Sequence, residues 1–274
     1  MGAELMDELR VRRAWACRLT PDRALQSIEE ANSFLTDRGM LTRTSDSSLP
    51  SLFGACHEQP YLAGGRGFAS WPATKWPWAA ELAERAGVRA LKIHRGKTLL
   101  VTEETLALAD PICRAELARM QDADPAWRRL LTHLADAGPS LADDVQTELG
   151  LAAAELRALR TTLERSGALV SRSVVLPAPN GGHRHASELA RWDQVFPAGQ
   201  AGQAASAHDT GSGVLAGRLA DLLAAGVRAA VLAPERELGR WFSWPRLFSA
   251  DLVNRLVEDG RITRPAPGWV AAPA

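Results

Sequence analysis

Apolar residues recur at helical spacing along much of this chain, and in three places the helical stretch ends in a glycine followed by a β-prone pair. The junctions are 36–42, 164–170 and 257–263, centred on Gly39, Gly167 and Gly260. Glycine readily adopts the left-handed backbone conformation that ends a helix. Each junction therefore predicts the end of a helix and the start of a strand, and a turn-rich stretch follows each one.

The middle of the chain shows the fullest pattern. Asp124-Pro125 is typical of a helix start, and it is followed by an apolar stripe at Trp127, Leu130, Leu131 and Leu134. Ser140 is a candidate cap for a second helix at 141–149, and a third helix is predicted at 152–166. A strand at 170–176, a turn at 179–182 and a returning strand then complete a helix-turn-helix with a hairpin wing.

Similar patterns lie on both sides of this segment. Helices are predicted at 6–17, 27–38, 50–56, 79–86, 103–120, 214–225, 234–242 and 245–260, and hairpins at 89–102 and 261–271. We therefore predict an α+β, mostly helical protein with three tandem winged helix-turn-helix modules. The expected domains are 1–120, with a Gly/Trp-rich insertion and a basic hairpin, 121–195, a central winged helix, and 196–274, a linker and a C-terminal winged helix.

Composition narrows the classes of protein that fit. Apolar residues make up 46% of the 274 positions, and 32 cationic residues balance 32 acidic ones, which predicts a folded, soluble protein. No apolar run approaches the roughly 18 residues of a membrane span. Three widely spaced cysteines argue against a disulfide framework or a metal site and favour a reducing cytoplasm. We expect a cytoplasmic, nucleoid-associated monomer that needs no cofactor and no metal.

Double-stranded DNA is the partner that a winged helix-turn-helix usually binds. A net charge of zero counts against strong non-specific binding, but cations predominate at 61–100. The outward positions of the third predicted helix in the middle module include Arg157, Arg160 and Thr161, which suit base edges or phosphates. The wing residues that follow its turn are His183, Arg184 and His185. The alternative for both groups is an ordinary solvated surface.

A second group of candidate DNA-binding residues lies in the N-terminal segment. Its members are Arg66, Lys75, Lys92, His94, Arg95 and Lys97. Alternate strand positions aim Lys92 and His94 to one side of a hairpin, where they suit a clamp on a DNA backbone. An ordinary solvated hairpin fits the pattern equally well.

Aromatic residues are concentrated in the glycine-rich insertion. They are Phe68, Trp71, Trp76 and Trp78. Such side chains can stack on bases or wedge into a duplex. Trp-Pro pairs more often fix an irregular loop to a core, and this second interpretation is the favoured one.

Acid–base chemistry has three weak candidates. Asp46, His57 and Glu58 are polar residues in an otherwise apolar loop-helix-loop. Hydrolysis of a base would require such a group within reach of an activated water. Internal structural roles are the alternative for all three residues.

The chain resembles the bacterial winged-helix family that includes the AlkZ/YcaQ-type DNA glycosylases. The resemblance rests on the tandem architecture, on 27–42 (SIEEANSFLTDRGMLT), on 91–101 (LKIHRGKTLLV) and on the Arg-bearing middle module. It implies a concave DNA-binding surface built from three winged helices. Catalysis in that family depends on a Gln-x-Gln or Gln-x-Asp motif. Here Gln26 and Gln59 precede Ser-Ile and Pro-Tyr, so no catalytic residue can be carried over.

Three functional hypotheses follow. The leading one is a DNA-binding protein related to repair, which recognises damaged or alkylated duplex. A second is N-glycosidic bond hydrolysis that uses Asp46, His57 or Glu58 in place of the missing glutamines. The third is a non-catalytic transcriptional regulator or protein-interaction scaffold, which the zero net charge favours.

Overall fold

Helices and short antiparallel sheets alternate along the chain. A computed structural model describes residues 2–65, 67–177, 181–197 and 211–273. Within these ranges the strands form three separate three-stranded sheets, and helices account for most of the ordered backbone. The predicted α+β, mostly helical class is therefore confirmed.

The chain divides into two compact units. The first combines Met1–Ala109 with Gly211–Ala274, and the second is Asp110–Thr210. The segments predicted as 1–120 and 196–274 thus contribute most of their residues to one unit. No local feature of the sequence signals this association.

The N-terminal elements of the first unit follow the predicted order. They are α1 (Gly2–Ala16), α2 (Ile28–Arg38), β1 (Met40–Thr42), α3 (Leu52–Cys56), α4 (Trp78–Ala83), β2 (Val88–His94) and β3 (Lys97–Thr102), with 3-10 turns at Pro21–Arg23 and Phe68–Ser70. Ser27 starts α2 by accepting a hydrogen bond from the N–H of Glu30. Arg95 and Gly96 both take positive φ, of 54° and 76°, which closes the β2–β3 hairpin tightly. The sheet order is β1–β3–β2.

The second unit repeats this order after the long helix α5 (Glu103–Ala123). Its further elements are α6 (Pro125–Ala137), β4 (Ser140–Leu141), α7 (Ala142–Glu148), α8 (Ala153–Ser166), β5 (Leu169–Pro177), β6 (His183–Arg191) and α9 (Trp192–Val195). Asp124 caps α6, since its Oδ1 accepts hydrogen bonds from the N–H groups of Ala126 and Trp127. Ser140 does not cap α7 as predicted, because it pairs with Leu189 in the sheet β4–β6–β5.

The C-terminal segment completes the first unit. Its elements are α10 (Ser212–Ala230), β7 (Leu232–Pro234), α11 (Glu235–Trp241), a 3-10 turn at Pro245–Leu247, α12 (Ala250–Glu258), β8 (Thr263–Ala266) and β9 (Trp269–Ala271). The sheet order is β7–β9–β8. All three sheets therefore share one topology, in which the first strand pairs with the third and the third with the second.

The three glycine junctions are not equivalent, contrary to the sequence prediction. Gly39 joins α2 to β1, the first strand of its sheet, whereas Gly167 and Gly260 lie between the third helix of their segments and the hairpin. The hairpin junction of the N-terminal segment is instead at Gly87, whose φ is 79°. Val231 occupies the position equivalent to Gly39 in the C-terminal segment and takes a φ of 66°, a conformation unusual for a β-branched residue.

The N-terminal helix packs on the C-terminal sheet. Met6 and Leu9 of α1 form a buried cluster with Leu232 and Ala271. The guanidinium of Arg13 reinforces this packing, because its Nη1 donates to the carbonyl oxygens of Ser48, Ala230 and Leu232 at 2.9, 2.9 and 3.0 Å. The two ends of the chain thus stabilise one unit through both apolar burial and hydrogen bonds.

Candidate nucleic-acid interface

The third helix of the middle segment presents a polar outer face. Leu156 and Leu163 are buried on the inner side of α8, while Arg157, Thr161 and Arg165 are exposed. Arg157 and Thr161 lie four residues apart and therefore project from one side of the helix. Their placement agrees with the prediction that they face outward.

Arg160 has a different environment from Arg157. It is half-buried, and its Nε lies 3.4 Å from Oε1 of Glu164. Glu164 is itself buried and accepts a hydrogen bond from the hydroxyl of Ser171 on β5. Arg160 thus helps to neutralise a buried carboxylate between α8 and the hairpin. Arg157 and Arg165, by contrast, are exposed.

The β5–β6 hairpin follows α8 and contacts it through the hydrogen bond from Ser171 to Glu164. Its strands pair continuously from Leu169 and Arg191 to Pro177 and His183. The predicted turn at 179–182 lies partly outside the described residues. His183, Arg184 and His185 are exposed. Arg184 also forms an ion pair with Asp143 at the start of α7, at 2.8 Å from Nη1 to Oδ2.

The predicted DNA clamp on the β2–β3 hairpin is wrong for His94. His94 is completely buried. Its Nδ1 donates to the carbonyl oxygen of Trp241 at 2.7 Å, and its Nε2 lies 3.2 Å from Oδ1 of Asp46. The prediction of an exposed His94 assumed that side chains alternate regularly between the two faces of the strand. This alternation is interrupted because the register of β2 and β3 shifts between Leu91 and His94.

The neighbouring cations also serve the interior of the first unit. Arg95 donates from Nε to the carbonyl oxygen of Arg240 and from Nη1 to that of Asp46, both at 2.9 Å. The ammonium of Lys97 lies 2.5 Å from Oδ2 of Asp46. Lys92 is half-buried. We call Asp46, His94, Arg95 and Lys97 the Asp46 cluster; it joins the hairpin tip to the end of α11.

Hydrogen bonds and nearby charges set the environment of the ionisable groups in the Asp46 cluster. A carbonyl oxygen only accepts, so Nδ1 of His94 must donate to Trp241. The other ring nitrogen, Nε2, lies 3.2 Å from Oδ1 of Asp46, so both ring nitrogens face internal partners. Burial would raise the pKa of Asp46, but hydrogen bonds from His94 and Lys97, with their charges, lower it to about 2. His94 is completely buried with both ring nitrogens beside internal partners, so a substrate cannot reach it.

The other two acid–base candidates also have internal partners. His57 ends α3 in a left-handed conformation, and its Nε2 lies 2.8 Å from the carbonyl oxygen of Arg18. Glu58 accepts hydrogen bonds from the hydroxyl of Thr74 at 2.6 Å and from the N–H groups of Thr74 and Lys75 at 3.2 and 3.0 Å. Burial would raise the pKa of Glu58, but these hydrogen bonds and the Lys75 charge lower it. Both side chains thus organise the loops around α3.

The glycine-rich insertion is partly fixed to the core, as the favoured interpretation predicts. Trp71 and Trp78 pack against the apolar cluster that includes Phe53. Lys75, a predicted DNA contact, donates to the carbonyl oxygen of Leu25 at 2.7 Å and lies 5.5 Å from the ring centre of Trp78. Arg66 lies outside the described residues.

One residue near this insertion was missed by the sequence analysis. The guanidinium of Arg43 lies 4.5 Å from the ring centre of Trp71, a cation–π contact. Burial lowers the pKa of Arg43. Only the tertiary fold shows this contact, because Arg43 follows β1 and Trp71 is 28 positions later in the chain.

Two further classes of site are absent from the described part of the chain. No group of three or more His, Cys, Asp and Glu side chains is placed to hold a metal ion. No described helix combines the length and apolar character needed to cross a membrane. The three cysteines are buried and unpaired.

Comparisons with protein families, with curated proteins and with solved structures find no match to this chain.

Proposed function

We propose that the protein binds duplex DNA through its second unit and that its three segments are winged helix-turn-helix modules. Each segment has the order helix, strand, helix, helix, strand, strand, with the first strand paired to the third. In helix-turn-helix proteins a recognition helix enters the major groove. The repeated topology supports this assignment.

The observation that carries the proposal is the surface formed by α8 and the β5–β6 hairpin. Exposed Arg157 and Arg165 on the helix, with His183 and Arg184 on the hairpin, suit phosphate and base-edge contacts. The corresponding helix of the C-terminal segment, α12, fits DNA less well, because Asp251 and Glu258 are among its exposed residues. We therefore propose that the second unit makes the main DNA contacts.

We further propose a role in recognising damaged duplex, on the basis of the family resemblance. The proposal is for binding and not for base hydrolysis, because Asp46, His57 and Glu58 all have internal partners. A non-catalytic regulator or a protein-interaction scaffold is the alternative.

The test is fluorescence anisotropy of the full chain with a labelled duplex over a salt series. Arg157→Ala and Arg165→Ala together should weaken binding by roughly 10- to 100-fold and reduce the logarithmic salt slope by about 2 if both contact phosphates. Arg12→Ala with Arg236→Ala is the two-charge control, since both are exposed helical arginines in the first unit.

Each outcome has a distinct meaning. An unchanged affinity and salt slope in the double variant would show that α8 does not contact the DNA. A preference for an abasic-site duplex over an intact one would support the repair role, and binding without preference would favour a regulator. No binding even at low salt would favour the protein-interaction scaffold.

A further inference from the structure

Two aromatic side chains of the insertion between α3 and α4 project into solvent. Phe68 is 71% exposed and Trp76 is 46% exposed, which is unusual for large apolar side chains. Their ring centres lie 5.9 Å apart in an edge-to-face arrangement, and the ring centre of Trp71 lies 4.3 Å from that of Phe68. We call Phe68, Trp71 and Trp76 the aromatic platform.

The aromatic platform is held by the core beneath it. The ring centre of Trp71 lies 5.6 Å from that of Phe53, which is completely buried. The carboxylate of Glu58 accepts hydrogen bonds from the N–H groups of Thr74 and Lys75. Trp71 and the backbone next to Trp76 are thus held in place before any ligand arrives, which lowers the conformational entropy lost on binding.

The charges around the aromatic platform favour an anionic partner. Between Glu58 and Glu81 the described residues include one cation, Lys75, and no carboxylate. Arg43 stacks on Trp71, and within the described part of the chain it forms no ion pair with a carboxylate. Flat apolar rings beside the Arg43 guanidinium match a nucleobase carried on a phosphate backbone.

We infer that Phe68 and Trp76 form a stacking site for an unpaired nucleobase of DNA, an inference that rests on the proposed DNA-binding function. A base within a regular duplex has both faces covered by its neighbours, so it offers no face to the rings. A base displaced by a bulge or a lesion exposes one face, and stacking on an aromatic ring is not specific for base identity. The platform therefore favours distorted over regular duplex.

The experiment uses the full chain and two duplexes of the same sequence. One is fully paired, and the other carries a single unpaired 2-aminopurine, whose fluorescence reports stacking. The test variant is Phe68→Ala with Trp76→Ala. The control is Trp15→Ala, because Trp15 is 60% exposed on α1, far along the sequence from the insertion. Circular dichroism checks that both variants fold.

The wild-type protein should prefer the bulged duplex by about 5- to 150-fold, the range expected when one base stacks on an aromatic ring. The 2-aminopurine fluorescence should change on binding. The double variant should lose both the preference and the fluorescence change while keeping its affinity for the paired duplex. Trp15→Ala should behave as the wild type.

Other results would overturn the inference. The wild type could bind the paired duplex without preferring the bulged one and without changing the 2-aminopurine fluorescence. In that case the stacking site is wrong and the proposed function stands. The same holds if the double variant keeps the preference. If the wild type binds neither duplex at low salt, the proposed function and the stacking site both fail. An unchanged 2-aminopurine fluorescence with the wild type would overturn the stacking site even if the double variant does not fold.

Discussion

Oδ1 of Asp46 lies 3.2 Å from Nε2 of His94, and the His94 side chain is completely buried. The pair connects the loop after β1 to the tip of the β2–β3 hairpin. Through Nδ1 of His94 it also reaches the last residue of α11, Trp241. This contact between residues far apart in the sequence organises the first unit, and it replaces the DNA clamp expected at the hairpin.

The Asp46–His94 pair should make stability depend on acidity. The pKa of Asp46 in the folded protein is about 2, below its ordinary value of 3.8. A lowered folded-state pKa gives stability that is present above pH 4 and is lost as the pH falls through 2. The free energy of unfolding should fall by about 2 kcal/mol over this pH range. Urea unfolding of the wild type and of Asp46→Asn between pH 7 and pH 2 measures it.

The difference in unfolding free energy between wild type and Asp46→Asn should therefore shrink as the pH approaches 2. Asp22→Asn is the control, since Asp22 is exposed. An Asp46→Asn protein with the same pH profile as the wild type would contradict this assignment.

Arg13 should contribute strongly to stability, unlike its neighbour Arg12. Nη1 of Arg13 donates to three carbonyl oxygens, whereas Arg12 is exposed. Arg13→Ala should lower the unfolding free energy of the first unit by about 2–3 kcal/mol, because charged hydrogen bonds to buried carbonyls are lost. Arg12→Ala should change it by less than about 0.5 kcal/mol. Chemical denaturation compares the two, and equal effects would show that the Arg13 hydrogen bonds contribute nothing.

Two glycines of α10 should respond to alanine in opposite directions. A Cβ at Gly226 would lie 2.8 Å from Cζ3 of Trp241, a fully buried ring that has little room to move. A Cβ at Gly217 would meet nothing within 4 Å. Gly217→Ala should stabilise by about 0.5–1 kcal/mol through helix propensity. Gly226→Ala should cost about 1–2 kcal/mol in net terms, because overpacking exceeds that gain.

Thermal unfolding of the two glycine variants provides the measurement. Each variant is the control for the other, since both place the same residue in the same helix. Stabilisation by Gly226→Ala would mean that Trp241 can move aside.

Removal of Asp143 should increase DNA affinity if the second unit binds duplex. Its carboxylate holds Arg184 of the hairpin at 2.8 Å. Asp143→Asn frees this guanidinium for phosphate and should tighten binding by about 2- to 5-fold at low salt, with a smaller gain at high salt. Asp144→Asn makes the same charge change at the next position, which is also exposed. Fluorescence anisotropy with both variants distinguishes the effect of releasing Arg184 from the effect of the changed net charge. Equal gains in DNA affinity would show that the Asp143–Arg184 ion pair has no influence.

Sequence patterns predicted the outward-facing part of the candidate site better than its buried part. Arg157 and Thr161 are exposed as expected, since helical spacing with Leu156 and Leu163 buried determines which positions face solvent. The prediction that His94 is exposed was wrong. A register shift in the hairpin and a hydrogen-bond partner 147 positions away place its side chain in the interior. Arg43 could not be found from spacing, because its position over Trp71 requires the folded loop.

The sequence by itself determined the elements whose signals are local. The strand at Lys97–Thr102 lies where its pattern predicts it, and α8 ends before Gly167 because that glycine takes the left-handed conformation. Only the tertiary structure decided the short strands β4 and β7, which have two and three residues and are too short to show periodicity. It also decided the packing of α1 on the C-terminal sheet, where Arg13 bonds to a carbonyl 217 positions away. The physical reason is that helix caps and periodicity act within one or two turns. Burial and strand pairing depend instead on residues that meet only when the chain folds.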